Sequence, residues 1–341
     1  SDAVAGVVNF KMRRDYDEHP KTETGHICRD TRPRLLAKSA EHHDSPSRDR
    51  RERVVVESFV HRLDRPLLRY HGGKWELAKW IIEQMPTHRV YCEPFGGGGS
   101  VLLQKPRAYA EVYNDLDGEI VNLFRIVRER PNELLAAIET TPFSRVEYRD
   151  AFVPCEDPLE WARRVLVRSH MGFAGAATHG HMTGFRSRSV NSGTHPAIQW
   201  RNFPNHLAAI VDRLRGVVIE QRDAVEVMLQ QDHPQTLHYV DPPYVPETRD
   251  AGEDYRHEMT EDQHIRLAEV LHELSGGVIL SGYPSPLYER LYGDWRRVER
   301  KALAEGARER TEVLWMKCEK PEQDLFTMNM THETEAAPGR R

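Results

Sequence analysis

The stretch Leu237-His238-Tyr239-Val240-Asp241-Pro242-Pro243-Tyr244 constrains the fold more than any other part of the chain. Its first half is a short apolar run, which predicts a buried strand ending at the acid. Two prolines directly after a strand cannot continue a sheet ladder, so the backbone must turn out at the strand's carboxyl end. Open α/β sheets place their ligands at that end. The turn presents one carboxylate, carbonyls with no neighbouring N–H to satisfy them, and one aromatic ring. A lone Asp-Pro pair is commonly only a polar turn. The whole tetrad at a strand end is much rarer and reads as a site.

This equipment suits the alkylation of an exocyclic aromatic amine. The lone pair of such an amine is delocalised into its ring, and two acceptors holding its hydrogens redirect that pair toward an electrophile. Asp241 and the carbonyl of Pro242 are the candidate acceptors, and the ring of Tyr244 is the candidate stacking platform for the base.

Upstream, Arg89 to Phe95 reads as a strand, followed by Gly96-Gly97-Gly98-Gly99, Ser100 and the apolar run Val101-Leu102-Leu103. Strand, glycine loop and helix form a nucleotide-type crossover. Neither phosphate-binding pattern fits, because no Gly-Lys-Ser/Thr follows and Leu102 stands where a dinucleotide fingerprint has its third glycine. Asp115 lies 18 positions past Gly97, after the strand-like run Ala110 to Tyr113. An acid there suits the two hydroxyls of a ribose. The bland alternative is a helix N-cap, a role Asp117 fills equally well. A ligand with a ribose and no phosphate points to S-adenosyl-L-methionine, whose methyl is the electrophile the amine needs.

With these residues together, the chain resembles the Dam-like (D12 class) DNA adenine methyltransferases. The parts run in the family's order: Tyr70-His71-Gly72-Gly73-Lys74, Glu93-Pro94-Phe95-Gly96-Gly97-Gly98-Gly99-Ser100, Asn114-Asp115, a variable segment, then Asp241-Pro242-Pro243-Tyr244. The resemblance spans roughly 67–317, and Tyr255-Arg256-His257-Glu258-Met259-Thr260 is similar to a stretch of phage and prophage members. It implies a Rossmann-like S-adenosylmethionine-dependent methyltransferase fold. Such a fold has a mostly parallel sheet, an antiparallel edge strand and an inserted target-recognition segment, placed here at about 145–215. It also implies cofactor-binding roles for Tyr70, Lys74, Phe95, Gly97, Gly99, Asp115, Asp223 and Asp241. Ala224 stands where the family has Phe after the acid, which weakens the role of Asp223. The implied reaction is methyl transfer to N6 of adenine in double-stranded DNA, with the base flipped out of the helix. A cytosine exocyclic-amine methyltransferase and a catalytically idle DNA-binding module are the competing readings. Pro154-Cys155 is a weak match to the nucleophile dipeptide of cytosine carbon-5 enzymes, whose remaining pattern is missing.

From Ser169 to Val211 there is no Asp or Glu in 43 residues, where the chain's 53 acids in 341 residues predict about seven. The wider span Arg163 to Arg222 holds nine arginines and two acids. Acid depletion with arginine retained suits a surface facing phosphates. The expected DNA contacts are Arg186, Arg188 and Arg201, with Trp200 and Phe203 marking Arg201 as the one nearest a base. A segment poor in acids by chance is the alternative.

The net charge of −5 argues against indiscriminate nucleic-acid binding by the whole surface. Four scattered cysteines and eighteen histidines show no metal spacing, so no metal is expected, and the thiols suit a reducing cytoplasm. No apolar run is long enough to span a membrane. Residues 1–62 read as a disordered or non-native extension, with a DNA-binding arm as the alternative, and 321–341 as a flexible tail. A monomer is expected, with a cognate restriction endonuclease as a possible partner. Thr260-Glu261-Asp262-Gln263 predicts a capping box opening an amphipathic helix, and 295–298 with 311–316 predict the antiparallel edge.

Overall fold

The computed structural model describes residues 63–173, 180–187, 195–248, 257–303 and 309–318. Both predicted terminal segments, Arg188 and Tyr255-Arg256 lie outside these residues. Seven strands form one sheet: β1 (Val90–Glu93), β2 (Ala110–Asn114), β3 (Val217–Glu220), β4 (Thr236–Val240), β5 (Gly277–Gly282), β6 (Arg296–Leu303) and β7 (Glu309–Lys317), in the order β3-β2-β1-β4-β5-β7-β6. The first five are mutually parallel, while β7 runs antiparallel between β5 and β6. The predicted edge is present, with Arg296 opposite Met316 and Val298 opposite Leu314.

The helices are α1 (Ala78–Ile82), α2 (Ser100–Gln104), α3 (Gly118–Glu129), α4 (Pro131–Glu139), α5 (Arg145–Asp150) and α6 (Pro158–Met171). They continue with α7 (Pro196–Asn202), α8 (Pro204–Arg213), α9 (Ala224–Gln231), α10 (Glu261–Glu273) and α11 (Pro286–Tyr292). Their starts follow local chemistry. Asp117 caps α3 through Glu119 N, Asp157 caps α6 ahead of Pro158, and Thr260 with Gln263 closes the predicted capping box on α10.

Strand β4 is buried at every position, as a central parallel strand covered on both faces must be. Alternate residues of the sheet enter two apolar clusters. Leu237, Tyr239, Ile279, Leu314 and Met316 join one, and Val240, Val278, Leu280, Val313 and Trp315 the other. The period of two puts the clusters on opposite faces of the sheet.

The segment expected as a target-recognition insertion is largely built into the first cluster. Trp200 and Phe203 are 4% and 2% exposed, and Trp200 Nε1 donates to the Thr141 carbonyl at 2.9 Å. They are core residues, which removes them as neighbours of a DNA base. The arginines flanking the acid-free window also face inward or onto nearby acids. Arg168 pairs with buried Glu119, Arg213 with buried Glu111, and Arg163 and Arg164 with Glu160. The acids of Arg168 and Arg213 come from elsewhere in the chain, and Glu160 lies one helical turn before Arg163 and Arg164, so an acid-free window nearby does not make these cations free. Among the described residues, no helix is long and apolar enough to cross a membrane.

Candidate active site

The order of strands reverses between β1 and β4, the point where open parallel sheets bind ligands. Glu93 ends β1 and Val240 ends β4, so the glycine loop and the Asp-Pro-Pro-Tyr turn leave the sheet side by side. A cavity of about 330 Å³ opens there. Its wall includes Tyr70, Lys74, Phe95, Gly97, Asp115, Asp223, Asp241 and Pro243, with Met259 and Leu267 from the α10 side. The fold therefore brings seven of the eight residues expected at the cofactor into one concavity. Gly99 stands just behind it, as the N-cap of α2 with φ +62°.

The glycine loop passes directly beneath Tyr70. Gly97 has φ +46°, and a Cβ there would lie 2.7 Å from Tyr70 Cε1. At Gly96 a Cβ would lie 2.1 Å from the Tyr113 ring. A side chain at either position would push an aromatic ring out of place. Tyr113 also ties the loop down, its hydroxyl donating to the Gly97 carbonyl at 2.7 Å.

Asp115 braces the same loop. Its Oδ2 accepts from Gly97 N at 2.7 Å and its Oδ1 from Asp117 N at 2.8 Å. Burial raises its pKa to about 6, while these two N–H groups oppose the rise. It is not a helix cap, since Asp117 takes that place on α3. Asp223 does cap a helix, accepting from Val225 N and Glu226 N at the start of α9, and also lines the cavity.

At the turn, Asp241 Oδ1 accepts from Ser281 Oγ at 2.7 Å, and Oδ2 lies 3.0 Å from Lys74 Nζ. Lys74 donates to the Gly72 carbonyl at 2.7 Å and sits 4.8 Å from the centre of the Tyr244 ring. The ammonium thus faces the acid of the turn while its residue also lines the cavity. Tyr244 does not present the open stacking face expected of it. The residue is 6% exposed, and its ring meets Tyr283 edge-on with centroids 4.7 Å apart. Its hydroxyl donates to the buried carboxylate of Glu312. That bond draws the ring against the sheet.

Glu93 closes the floor of the cavity, with Oε2 accepting from Tyr91 Oη at 2.7 Å and Leu102 N at 3.0 Å. Burial pushes its pKa up to about 8, and the nearby Asp241 charge adds to the rise. Sequence reasoning placed Glu93 in a motif without a role and overlooked Ser281, Tyr283 and Glu312. The available signal for Glu312 was an acid directly preceding the apolar run Val313 to Met316.

Of the expected DNA contacts, Arg201 is exposed at the end of α7. Arg186 is half-buried, and its guanidinium donates to the His170 carbonyl at 2.9 Å. Burial first, and then the charge of Arg69, lowers its pKa to about 10. An arginine held this way is part of the fold as much as of the surface. Phe185 beside it is half-buried and packs with Phe143 and Tyr148. Among the described residues no cluster of three or more His, Cys, Asp or Glu could hold a metal ion.

Five parallel strands, an antiparallel strand inserted next to the edge, and a cavity at the switch point define the fold of S-adenosylmethionine-dependent methyltransferases. Residues 70–305 match the family of D12 class N6 adenine-specific DNA methyltransferases, and the chain belongs to that family. It is 25% identical over 256 residues to the Type II methyltransferase M1.LlaDCHI of Lactococcus lactis subsp. cremoris, covering 68% of this chain and 85% of that one. It is also 25% identical over 242 residues to the DNA adenine methylase of Escherichia coli (strain K12), covering 67% and 84% of the two chains. The reaction is methylation of adenine N6 in DNA, which sets aside the cytosine and non-catalytic readings.

Proposed function

We propose that the chain uses S-adenosyl-L-methionine to methylate adenine N6 at specific sites in double-stranded DNA, with the target base flipped into the mouth of the cavity. The observation that carries this is the shared cavity, in which Asp241 and the glycine loop stand on adjacent strands. The wall suits such a cofactor. A carboxylate has about four acceptor sites, and Asp115 uses two on backbone N–H groups. It therefore retains capacity for the two ribose hydroxyls. Gly97, with no Cβ, lets Tyr70 and the loop close on a flat ligand. Phe95, Met259 and Leu267 supply apolar contact, and a volume of about 330 Å³ lies in the ordinary range for ligand sites. When bound, the cofactor supplies a methyl group bonded to a positively charged sulfur.

The chain's own residues then do the positioning. Unstacking the adenine costs a few kcal/mol, offset by contacts in the site. Asp241 and the Pro242 carbonyl accept the two hydrogens of the exocyclic amine, which turns its lone pair toward the methyl. Ser281 fixes the rotation of the Asp241 carboxylate through Oδ1. Orientation and preorganised acceptors supply the rate gain, with no covalent enzyme intermediate. The covered ring of Tyr244 takes a base face only after Lys74 or Tyr283 shifts. Arg201, and Arg186 in part, contribute to the phosphate-facing surface, with Arg188 as a third candidate. The protein acts as a monomer in the cytoplasm, and an endonuclease of matching specificity is a candidate partner.

The test is Asp241→Ala at saturating cofactor. Methyl transfer to unmethylated duplex DNA should vanish while DNA binding and the thermal transition persist. Activity within about tenfold of the parent would refute the role of Asp241. Single-molecule sequencing of DNA from cells expressing the parent would report the modified base and its sequence context.

A further inference from the structure

Among the described strands, β7 alone runs opposite to the rest of the sheet. Because it is antiparallel to β5, its early residues, and not its last, lie at the carboxyl edge where the site is. Gly282 pairs with Val313, which leaves Glu312 one step further out toward the turn that carries Asp241. Glu312 is 4% exposed. Its carboxylate accepts the Tyr244 hydroxyl and lies 3.6 Å from Lys74 Nζ, whose distance to Asp241 Oδ2 is 3.0 Å. One ammonium therefore stands between two carboxylates in largely buried surroundings, with side-chain exposures of 6% for Lys74, 18% for Asp241 and 5% for Glu312.

The arrangement poses a problem for the reaction. Ser281 already donates to Asp241 Oδ1 and Lys74 stands on Oδ2, so both oxygens of the acceptor carry a donor, and the one on Oδ2 is a full positive charge. An ammonium locked to Oδ2 would compete with the substrate for the acceptor. Leaving it in this environment without a counter-charge is strongly unfavourable. A second carboxylate within reach resolves this. We propose that Glu312 is a positioning residue that receives the Lys74 ammonium when the target amine engages Asp241, and that holds Tyr244 in place from the same side. The inference rests on the reading of Asp241 as the acceptor of the amine. Burial also raises the Glu312 pKa while the Lys74 charge opposes the rise, as expected of an acid whose ionisation depends on that ammonium.

Glu312→Gln separates this role from a structural one, because the amide oxygen still accepts the Tyr244 hydroxyl while the negative charge is lost. The full-length protein is assayed in single turnover on unmethylated genomic duplex DNA with saturating cofactor. We expect the rate to fall by about tenfold or more, with S-adenosylhomocysteine affinity within about threefold of the parent and the thermal transition retained. Glu312→Asp, which keeps the charge, should recover part of the rate. A Glu312→Gln rate within about twofold of the parent overturns the proposal, as does a loss of rate matched by an equal loss of affinity. Should Glu312→Gln fail to fold alone, the comparison moves to Lys74→Met. Adding Glu312→Asp to that background should then cost little further, and a full additive penalty overturns the proposal. If Asp241→Ala retains activity, the Asp241 reading has failed. If Asp241→Ala is inactive and Glu312→Gln is not impaired, only the role of Glu312 has.

Discussion

Replacing Glu93 by Gln should change how stability depends on pH without disturbing the bonds the residue makes. Glu93 is 2% exposed, and its Oε2 accepts from Tyr91 Oη and Leu102 N at 2.7 and 3.0 Å. A glutamine oxygen accepts both. What the substitution removes is a carboxyl whose pKa is raised by burial, and secondarily by Asp241, from 4.5 to about 8. A group with a folded pKa above its unfolded value contributes stability that is fully present below the unfolded pKa. That contribution is lost as pH rises through the folded pKa. Between pH 4.5 and about 8 the folded protein therefore holds a proton that the unfolded chain releases. The parent should lose up to about 1.4 kcal/mol of stability per pH unit across this window relative to Glu93→Gln. Other groups run the opposite way. His170 and His238 have pKa values lowered by burial to about 3 and about 4, and so contribute stability that is lost as pH falls through those values. They are common to both proteins and cancel in the difference. Urea unfolding of parent and variant at pH 5, 6, 7 and 8 measures that difference directly. Parallel curves would refute the assignment of a buried, proton-holding Glu93.

Three further outcomes are expected. Gly97→Ala, whose new Cβ would lie 2.7 Å from Tyr70 Cε1 at φ +46°, should weaken S-adenosylhomocysteine binding measured by calorimetry; parent affinity would mean the glycine loop does not cradle the cofactor. Trp200→Ala should cost about 3–5 kcal/mol in chemical denaturation, as truncation of a buried aromatic does, and a near-zero cost would return Trp200 to the DNA-facing surface. Arg201→Ala should flatten the slope of log affinity against log salt by about one if the side chain meets a phosphate. A parent slope with parent sequence preference would remove Arg201 from the interface.

Much of the site was legible in the sequence because it is built from local signals at strand ends. A strand broken by two prolines must expose Asp241 at the sheet's carboxyl edge, wherever the strand lies in the sheet. Four consecutive glycines after a strand, and an acid at the end of the next, obey the same logic. So do the capping box at Thr260 and the alternation that put Val313 and Trp315 on the face opposite Leu314 and Met316. These features depend on residues a few positions apart, where backbone geometry alone decides the outcome.

What the sequence could not disclose depends on partners far away along the chain. Arg168 and Arg213 only count among the nine arginines of the acid-poor span until Glu119, 49 residues before Arg168, and Glu111, 102 residues before Arg213, are folded against them. Trp200 and Phe203 read as exposed aromatics in a basic segment, and only the packing of α7 into the first apolar cluster makes them core. Tyr244 reads as an open platform until the antiparallel course of β7 delivers Glu312 to its hydroxyl. Strand ends and turns are determined by local backbone sterics, which a sequence carries in itself. Which charge is neutralised, and which ring is covered, is decided only when the sheet closes and brings distant side chains into one low-dielectric space.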